Sequence, residues 1–360
     1  LRQSLLMSVL ISALVCGLSF LFARPYIQFA GAQADTIELA VQYFRIVIIG
    51  QFFGNIGMTI NAAQRCAGNS KISMRTNLAA NGINVIFNYL LIGGHFGFPR
   101  LEVAGAAIAT VLAQAVSVVC ALVILFRKNL PFPITKRDVR LNEQCGRFLS
   151  IGLPLALQEF LTQLSFLALC AFVNRLGLAA SSGYGVASKI VNFVMLVPSA
   201  LMQSMASFVA QNIGAGNPRR AKKSMLTGIA VGVAFGCVMF VLVMLKGDVL
   251  AGLFSTDAEV VRKGFEYLRG FAPETIVTGV LFSMVGYFNG NNKTLWVMIQ
   301  GLVQTLLVRL PLAYYMSMQP NASLTKIGLS APVATVVGIL LNIMFYIYLN
   351  RKNAEERRVR

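Results

Sequence analysis

The sequence predicts an all-α, polytopic membrane protein with about ten transmembrane helices, and two observations support this fold class. Of the 360 residues, 56% are hydrophobic and only 12% are charged, whereas a soluble domain carries roughly 25% charged residues. Apolar runs of about 17 to 25 residues, the length that crosses a bilayer, also recur along the whole chain. No soluble domain of appreciable size can therefore be separated from them.

The apolar runs are separated by short connections that contain Gly, Pro and Asn, such as those at Gly31, Pro99 and Pro218. The longest connection is 127–148. Because these residue types interrupt regular structure, each run is expected to form one helix that ends near them. In chain order the predicted helices are 4–23, 41–63, 76–94, 103–126, 149–173, 185–210, 224–245, 266–288, 294–317 and 327–349.

Alternate connections differ in charge. One set is strongly basic, at 65–75, 127–147, 219–223, 293 and the tail 351–360, whereas the other, at 24–38, 100–102, 175, 246–263 and 326, is nearly balanced. The positive-inside rule places the basic set in the cytoplasm. We therefore predict a multi-pass protein of the cytoplasmic (inner) membrane, with both the residue 1 end and the C-terminus on the cytoplasmic side.

Three short motifs repeat along the chain. YFR at 43–45 recurs as YLR at 267–269, GNSK at 68–71 as GNNK at 290–293, and RKN at 127–129 as RKN at 351–353, each after 222 to 224 residues. Together with the matching span lengths, they predict a duplication. Two bundles with the same orientation are expected, related by an axis along the membrane normal, with a cavity between them.

The repeat also predicts the domain organisation. Residues 1–129 form an N-terminal lobe with four helices, 130–147 a cytoplasmic inter-lobe loop, 148–350 a six-helix C-terminal lobe and 351–360 a basic tail. Since the first lobe is two helices shorter, we expect about 80 further residues ahead of residue 1 in a twelve-helix parent of two six-helix bundles.

Composition excludes several classes of site. The net charge of +18 lies in clusters between spans, which suits insertion and anionic lipid headgroups better than a nucleic-acid surface. The six cysteines have no CxxC spacing and there is a single histidine, so neither a disulfide framework nor a metal centre is predicted. The sequence also has no usable enzyme signature. We predict no enzyme activity, no cofactor and no nucleic-acid partner.

Glu159, with Gln158 beside it, lies inside the apolar run 149–173. A carboxylate at bilayer depth costs about 2.5 to 3.5 kcal/mol, so it needs a partner, water or a proton. The functional interpretation is a protonatable or cation-binding site that faces the cavity. The structural alternative is an acid paired with a neighbouring helix, for example with Lys189.

Further polar residues lie in the next spans. One interpretation is a polar stripe that faces the cavity, formed by Lys189, Asn192 and Gln203. The alternative is that Lys189 lies near a helix end and extends its ammonium to the membrane interface.

Glu274 follows Pro273 and is either a second cation ligand or an interfacial acid. Arg309, before Pro311, needs a partner or water at its depth, and Glu274 or a substrate would serve equally.

Gly228, Gly232 and Gly236 share one face of the run 224–245. The GxxxGxxxG spacing predicts close packing against another helix. A ligand role for this face is not favoured.

The chain resembles the multidrug and toxic compound extrusion (MATE) transporters. The resemblance rests on QNIGAGNP at 211–218, the two GNxK turns, Arg309 with Pro311 and the predicted arrangement of two six-helix bundles. It implies a secondary antiporter in which Na+ or H+ flow drives export of amphipathic organic cations by alternating access. In this family coupling acids lie in the first helix of the N-terminal lobe, or in the first and fourth helices of the C-terminal lobe. Glu159 lies in that first C-lobe helix and is the leading candidate, including for Na+, while Glu274 and Thr278, one turn on, lie in the fourth.

We therefore predict a cation-coupled drug/toxin antiporter that acts as a monomer among membrane lipids. A lipid-linked oligosaccharide flippase of related architecture is the alternative, but its cavity would need more Arg and Lys than these spans hold. A membrane scaffold or receptor without transport is a third possibility, which the paired repeat disfavours.

Overall fold

The computed structural model describes residues 2–29, 37–127 and 143–359 and divides the chain into two compact units, Leu1–Leu149 and Ser150–Arg360. The predicted turn at Gly31 and most of the predicted 130–147 loop lie outside the described residues. Within the described residues every regular element is a helix. The predicted all-α class is thus confirmed.

The described residues of unit 1, apart from the start of α6, form five α-helices and one short 3-10 turn. Its elements are α1 (Arg2–Leu21), α2 (Ala23–Phe29), α3 (Ile37–Cys66), α4 (Ser70–Gly93), the turn His95–Gly97 and α5 (Glu102–Arg127). Helix α5 packs against both α3 and α4, and α1 packs against α3. The fully buried Ile60 and Ala121 mark the contact between α3 and α5.

The described residues of unit 2 form eight α-helices, of which α6 begins in unit 1, and one π-helical segment. Its elements are α6 (Glu143–Asn174), α7 (Leu178–Gly214), α8 (Pro218–Gly252), α9 (Ala258–Phe271), α10 (Glu274–Gly290), α11 (Thr294–Leu302), the π-helical segment Val303–Arg309, α12 (Leu310–Met318) and α13 (Leu324–Val359). Helix α10 contacts α7, α8 and α13 and forms the centre of the unit. The predicted tail at 351 continues as α13.

The described residues contain eight helices that are long and apolar enough to cross a membrane, or nine if the bent pair α9 and α10 counts as one span. This confirms a polytopic membrane protein. Helix α4 occupies the place of the predicted span 76–94, but it falls outside these eight. Its mean hydropathy is lowered by several asparagines, including Asn77, Asn84 and Asn88.

The predicted span 266–288 is not one straight helix. It consists of α9 and α10, whose axes differ by 49°. Pro273 lies at the break, where its missing N–H removes a helical hydrogen bond and its ring disfavours helical geometry in the residue before it. Because α9 begins at Ala258 rather than near residue 266, Glu274 lies midway along the bent pair.

The glycine face of α8 packs against α10, which confirms the predicted close packing. A Cβ on Gly232 would lie 2.8 Å from the Cα of Gly279, and a Cβ on Gly236 would collide with the Thr275 carbonyl oxygen. The Thr275 hydroxyl donates to the Gly236 carbonyl at 2.9 Å. These backbones approach because Gly232 and Gly279 face each other without side chains.

The sequence QNIGAGNP forms the turn between α7 and α8. Helix α7 ends at Gly214 and α8 begins at Pro218, whose missing N–H costs nothing at a first helical position. Gly216 has a φ of +72°, a conformation that glycine adopts without strain. Residues 215–217 of this stretch therefore form a tight connection between the two helices.

Candidate functional site

Glu274 is the first residue of α10, where the helix dipole favours a negative charge. Its Oε1 accepts hydrogen bonds from the hydroxyls of Thr278 at 2.9 Å and Thr335 at 2.8 Å. Its Oε2 is buried and has no hydrogen-bond partner among the described residues. A buried carboxylate oxygen without a donor requires a proton, a water or a cation.

Thr335 extends this site into a buried chain of hydrogen bonds. Its hydroxyl accepts from Gln304 Nε2 at 3.0 Å, and Gln304 Oε1 accepts from Gln300 Nε2 at 2.6 Å. Thr278, Thr335 and Gln300 are each at most 2% exposed. The carboxylate therefore belongs to a polar group contributed by α10, α11, the π-helical segment and α13.

Arg309 ends the π-helical segment, a kind of helical irregularity found frequently at functional sites. Its guanidinium lies 4.3 Å from the centroid of the Phe166 ring and beside the hydroxyl of the buried Tyr267. The Arg309 charge also interacts electrostatically with the Glu274 carboxylate. No ion pair between these two residues is present among the described ones. Cation–π contact thus holds Arg309 near the carboxylate without neutralising it directly.

Glu159 and Gln158 point to different surroundings on α6. Glu159 is exposed within unit 2 and its Oε1 accepts from Gln163 Nε2, one turn on, at 2.9 Å. Gln158 is half-buried against Gly301 of α11, where a Cβ would lie 2.6 Å from its Nε2. No ion pair between Glu159 and Lys189 is present in the described part of the chain.

Lys189, Asn192 and Gln203 are exposed on α7. The Lys189 ammonium lies 5.7 Å from the centroid of the Phe254 ring, near the end of α8. The described contacts therefore do not join this stripe to the Glu274 group. Of the residues that the sequence singled out, Glu274 and Thr278 are in direct contact and Arg309 lies nearby.

Unit 1 holds a separate polar group that the sequence analysis did not identify. Asn88 Nδ2 donates to Asn84 Oδ1 at 2.8 Å, and Asn84 Nδ2 donates to the Thr110 hydroxyl at 3.4 Å. Asn88 Oδ1 is buried without a described partner. Asparagines four residues apart in an apolar helix would have been a usable signal, as would Gln300 and Gln304, which have the same spacing.

Carboxylate and hydroxyl oxygens suit a proton or a hard cation such as Na+ better than a transition metal. The described residues contain no cluster of three or more His, Cys, Asp or Glu that could hold a metal ion. The arrangement around Glu274 is one in which a single cation or proton would complete the coordination of Oε2.

The sequence matches the MatE protein family over residues 1–90 and 154–315. It is 26% identical to the FAD transporter of Shewanella oneidensis over 314 residues, which are 87% of this chain and 70% of that protein. It is 24% identical to the probable multidrug resistance protein YoeA of Bacillus subtilis over 353 residues, 97% of this chain and 76% of that protein. The multidrug export protein MepA of Staphylococcus aureus is 26% identical over 281 residues, 76% of this chain and 60% of that protein.

Solved structures share the fold. An outward-facing multidrug resistance MATE family transporter of the MOP superfamily superposes with a TM-score of 0.88 at 20% identity, covering 96% of this chain and 78% of that one. A MOP superfamily transporter from Pyrococcus furiosus, for which reverse polarity of the binding pocket suggests a different function, gives a TM-score of 0.86 at 21% identity, covering 97% and 79%.

Proposed function

The chain belongs to the MatE family of membrane transporters, and on that premise we propose that it is a secondary antiporter. It exports amphipathic organic cations, of the kind found among drugs and toxins, in exchange for Na+ or H+ by alternating access. We place it in the cytoplasmic membrane as a monomer, with the basic connections in the cytoplasm. The charge difference between alternate connections supports this orientation.

The observation that carries the coupling proposal is the state of Glu274. One carboxylate oxygen is fixed by two hydroxyls and the other is buried without a described partner. The protein therefore orients the carboxylate through Oε1, and none of its described side chains donates to Oε2. A cation or proton at Oε2 would remove the cost of burying the charge, which links ion occupancy to the packing of α10 against α13.

We favour Glu274 over Glu159, the leading candidate from sequence, as the coupling acid. The Glu159 carboxylate is exposed within its unit and already accepts from Gln163. Neither of its oxygens is among the buried atoms without a hydrogen-bond partner in the described residues, whereas Oε2 of Glu274 is.

Relatives named for multidrug export and resistance support a drug or toxin as substrate. Flavin nucleotide export is a second candidate, because one relative is named an FAD transporter. Arg309, which lies over the Phe166 ring and beside the Tyr267 hydroxyl, favours it as well, since a guanidinium suits a planar, anionic ligand.

Transport by the full-length protein, purified and reconstituted in liposomes, tests this proposal. We expect ethidium to move against its gradient when a Na+ gradient or a pH gradient is imposed, and to stop when that gradient is collapsed with an ionophore. An ethidium transport rate that is the same with and without both gradients would contradict antiport. Movement of FAD but not of ethidium would favour the second candidate.

Glu159→Gln is expected to keep at least about half of the gradient-driven ethidium rate, because the exposed carboxylate is replaced by an amide that can still accept from Gln163. The measurement is the initial rate in the same liposomes, with Glu274→Gln measured beside it. A loss as severe as that of a Glu274 variant would return the coupling role to α6.

A further inference from the structure

Two polar faces, buried at their centre and half-buried at Trp296, Gln304 and Tyr346, meet along the half of unit 2 that leads from Glu274 to the basic side. On α13, Thr335, Gly338, Asn342 and Tyr346 recur at three- or four-residue spacing. On α11 and the π-helical segment, Trp296, Gln300 and Gln304 recur every four residues. Residues at these spacings share one face of a helix.

The two faces are joined in antiparallel order. Gln304 Nε2 donates to the Thr335 hydroxyl at 3.0 Å, and further along Trp296 Nε1 donates to Asn342 Oδ1 at 2.9 Å. Between these bonds, Gly338 leaves room for both glutamines, because a Cβ there would lie 2.5 Å from Gln304 Oε1 and 2.6 Å from Gln300 Nε2. We call these seven residues the polar seam.

The polar seam has chemically different ends. At one end the Thr335 hydroxyl donates to Glu274. At the other, the Lys222 ammonium lies 5.4 Å from the centroid of the Tyr346 ring, at the start of α8 on the basic face. Thr335 to Tyr346 is eleven residues of helix, about 16 Å at 1.5 Å per residue, which is roughly half of a 30 Å hydrocarbon layer.

The middle of the seam contains an unsatisfied donor. Asn342 is 0% exposed, and its Nδ2 has no partner among the described residues. The amide cannot be turned to relieve this, since its Oδ1 is needed by the Trp296 indole, which is only a donor. Buried polar atoms without protein partners are typically satisfied by internal water. The same holds for Glu274 Oε2 at the end of the seam.

We propose that the polar seam is a hydrated route by which the coupling ion leaves Glu274 for the basic, cytoplasmic face of unit 2. Trp296, stacked on Phe345 with centroids 4.1 Å apart, narrows the route near Asn342. The direction of ion release rests on the proposed antiport at Glu274. Hydration of the seam does not, and it can be measured without transport.

The first test measures water access by cysteine labelling of the full chain. Asn342→Cys is exposed to the small, water-soluble reagent 2-aminoethyl methanethiosulfonate, and modification at residue 342 is followed by peptide mass spectrometry beside the native cysteines. The matched control is Val297→Cys, which is 1% exposed in an apolar cluster beside Trp296. Gln300→Cys repeats the test if loss of the Trp296 hydrogen bond prevents folding of the first variant.

We expect the seam cysteine to react at least about tenfold faster than the control, because the reagent needs water to reach the thiol. Resistance of both cysteines, or equal reaction of both, would overturn the proposal. Selective labelling in a chain that shows no gradient-driven transport would refute the antiport proposal and leave a hydrated seam without its ion.

The second test narrows the seam. Gly338→Ala adds a methyl group between the two glutamines, and we expect the gradient-driven ethidium rate to fall at least about fivefold, with ethidium affinity within about twofold of the parent. Gly185→Ala, at a helical glycine with open space around it, is the control and keeps the parent rate. An unchanged rate in Gly338→Ala would contradict an ion route through the seam.

Discussion

Glu274→Gln is expected to lower gradient-driven export at least about fiftyfold. The amide keeps the shape of the side chain, and its oxygen can still accept from Thr278 and Thr335. It cannot carry the negative charge that holds a cation or take part in proton exchange at neutral pH. The measurement is the initial rate of ethidium movement under an imposed Na+ or pH gradient.

Glu266→Gln provides the matched control for this variant. The same substitution of an amide for a carboxylate is made in α9. The Glu266 carboxylate, however, is 30% exposed and forms an ion pair with the Lys263 ammonium at 3.0 Å. Partly exposed pairs of this kind contribute about 0 to 1 kcal/mol, so near-parental transport is expected. Normal coupling in Glu274→Gln, or equal losses in both variants, would remove Glu274 from the coupling step.

Gly279→Leu is expected to prevent stable folding of unit 2. A Cβ on Gly279 would lie 2.6 Å from the Gly232 carbonyl oxygen, and a backbone atom cannot move aside as the end of a flexible side chain can. Overpacking a core typically costs about 1 to 3 kcal/mol and sometimes more, and here the helices α8 and α10 at the centre of the unit would have to separate. Leucine forms helices well, so helix propensity would not explain the loss.

The thermal unfolding midpoint in detergent and the yield of monodisperse protein measure this effect. Gly252→Leu, at the end of α8 where an added Cβ would meet no atom within 4 Å, is the control and is expected to behave as the parent. Equal midpoints for the two variants would contradict close packing of α8 on α10 as a determinant of stability.

The two acids illustrate how far local sequence predicts a site. Glu159 was conspicuous because it lies in a continuous apolar run, yet hydropathy does not reveal which side of α6 it occupies. For Glu274 the sequence left a cation ligand and an interfacial acid equally open, because charged residues of α9, such as Arg262, Lys263 and Glu266, resemble a loop in a hydropathy profile. The structure turns that polar stretch into a helix, and Glu274 then lies midway along a bent pair.

The sequence by itself determined the all-α membrane fold, the places of the apolar spans and the glycine contact of α8. These depend on the length of apolar runs, the spacing of small residues and the conformations of Gly and Pro, which are properties of neighbouring residues. Only the tertiary structure decided that Thr335, 61 residues away, donates to Glu274, that Gln304 and Trp296 face α13, and that one oxygen of Glu274 lacks a described partner. Burial and hydrogen-bond pairing arise from contacts between distant segments, so no local pattern contains them.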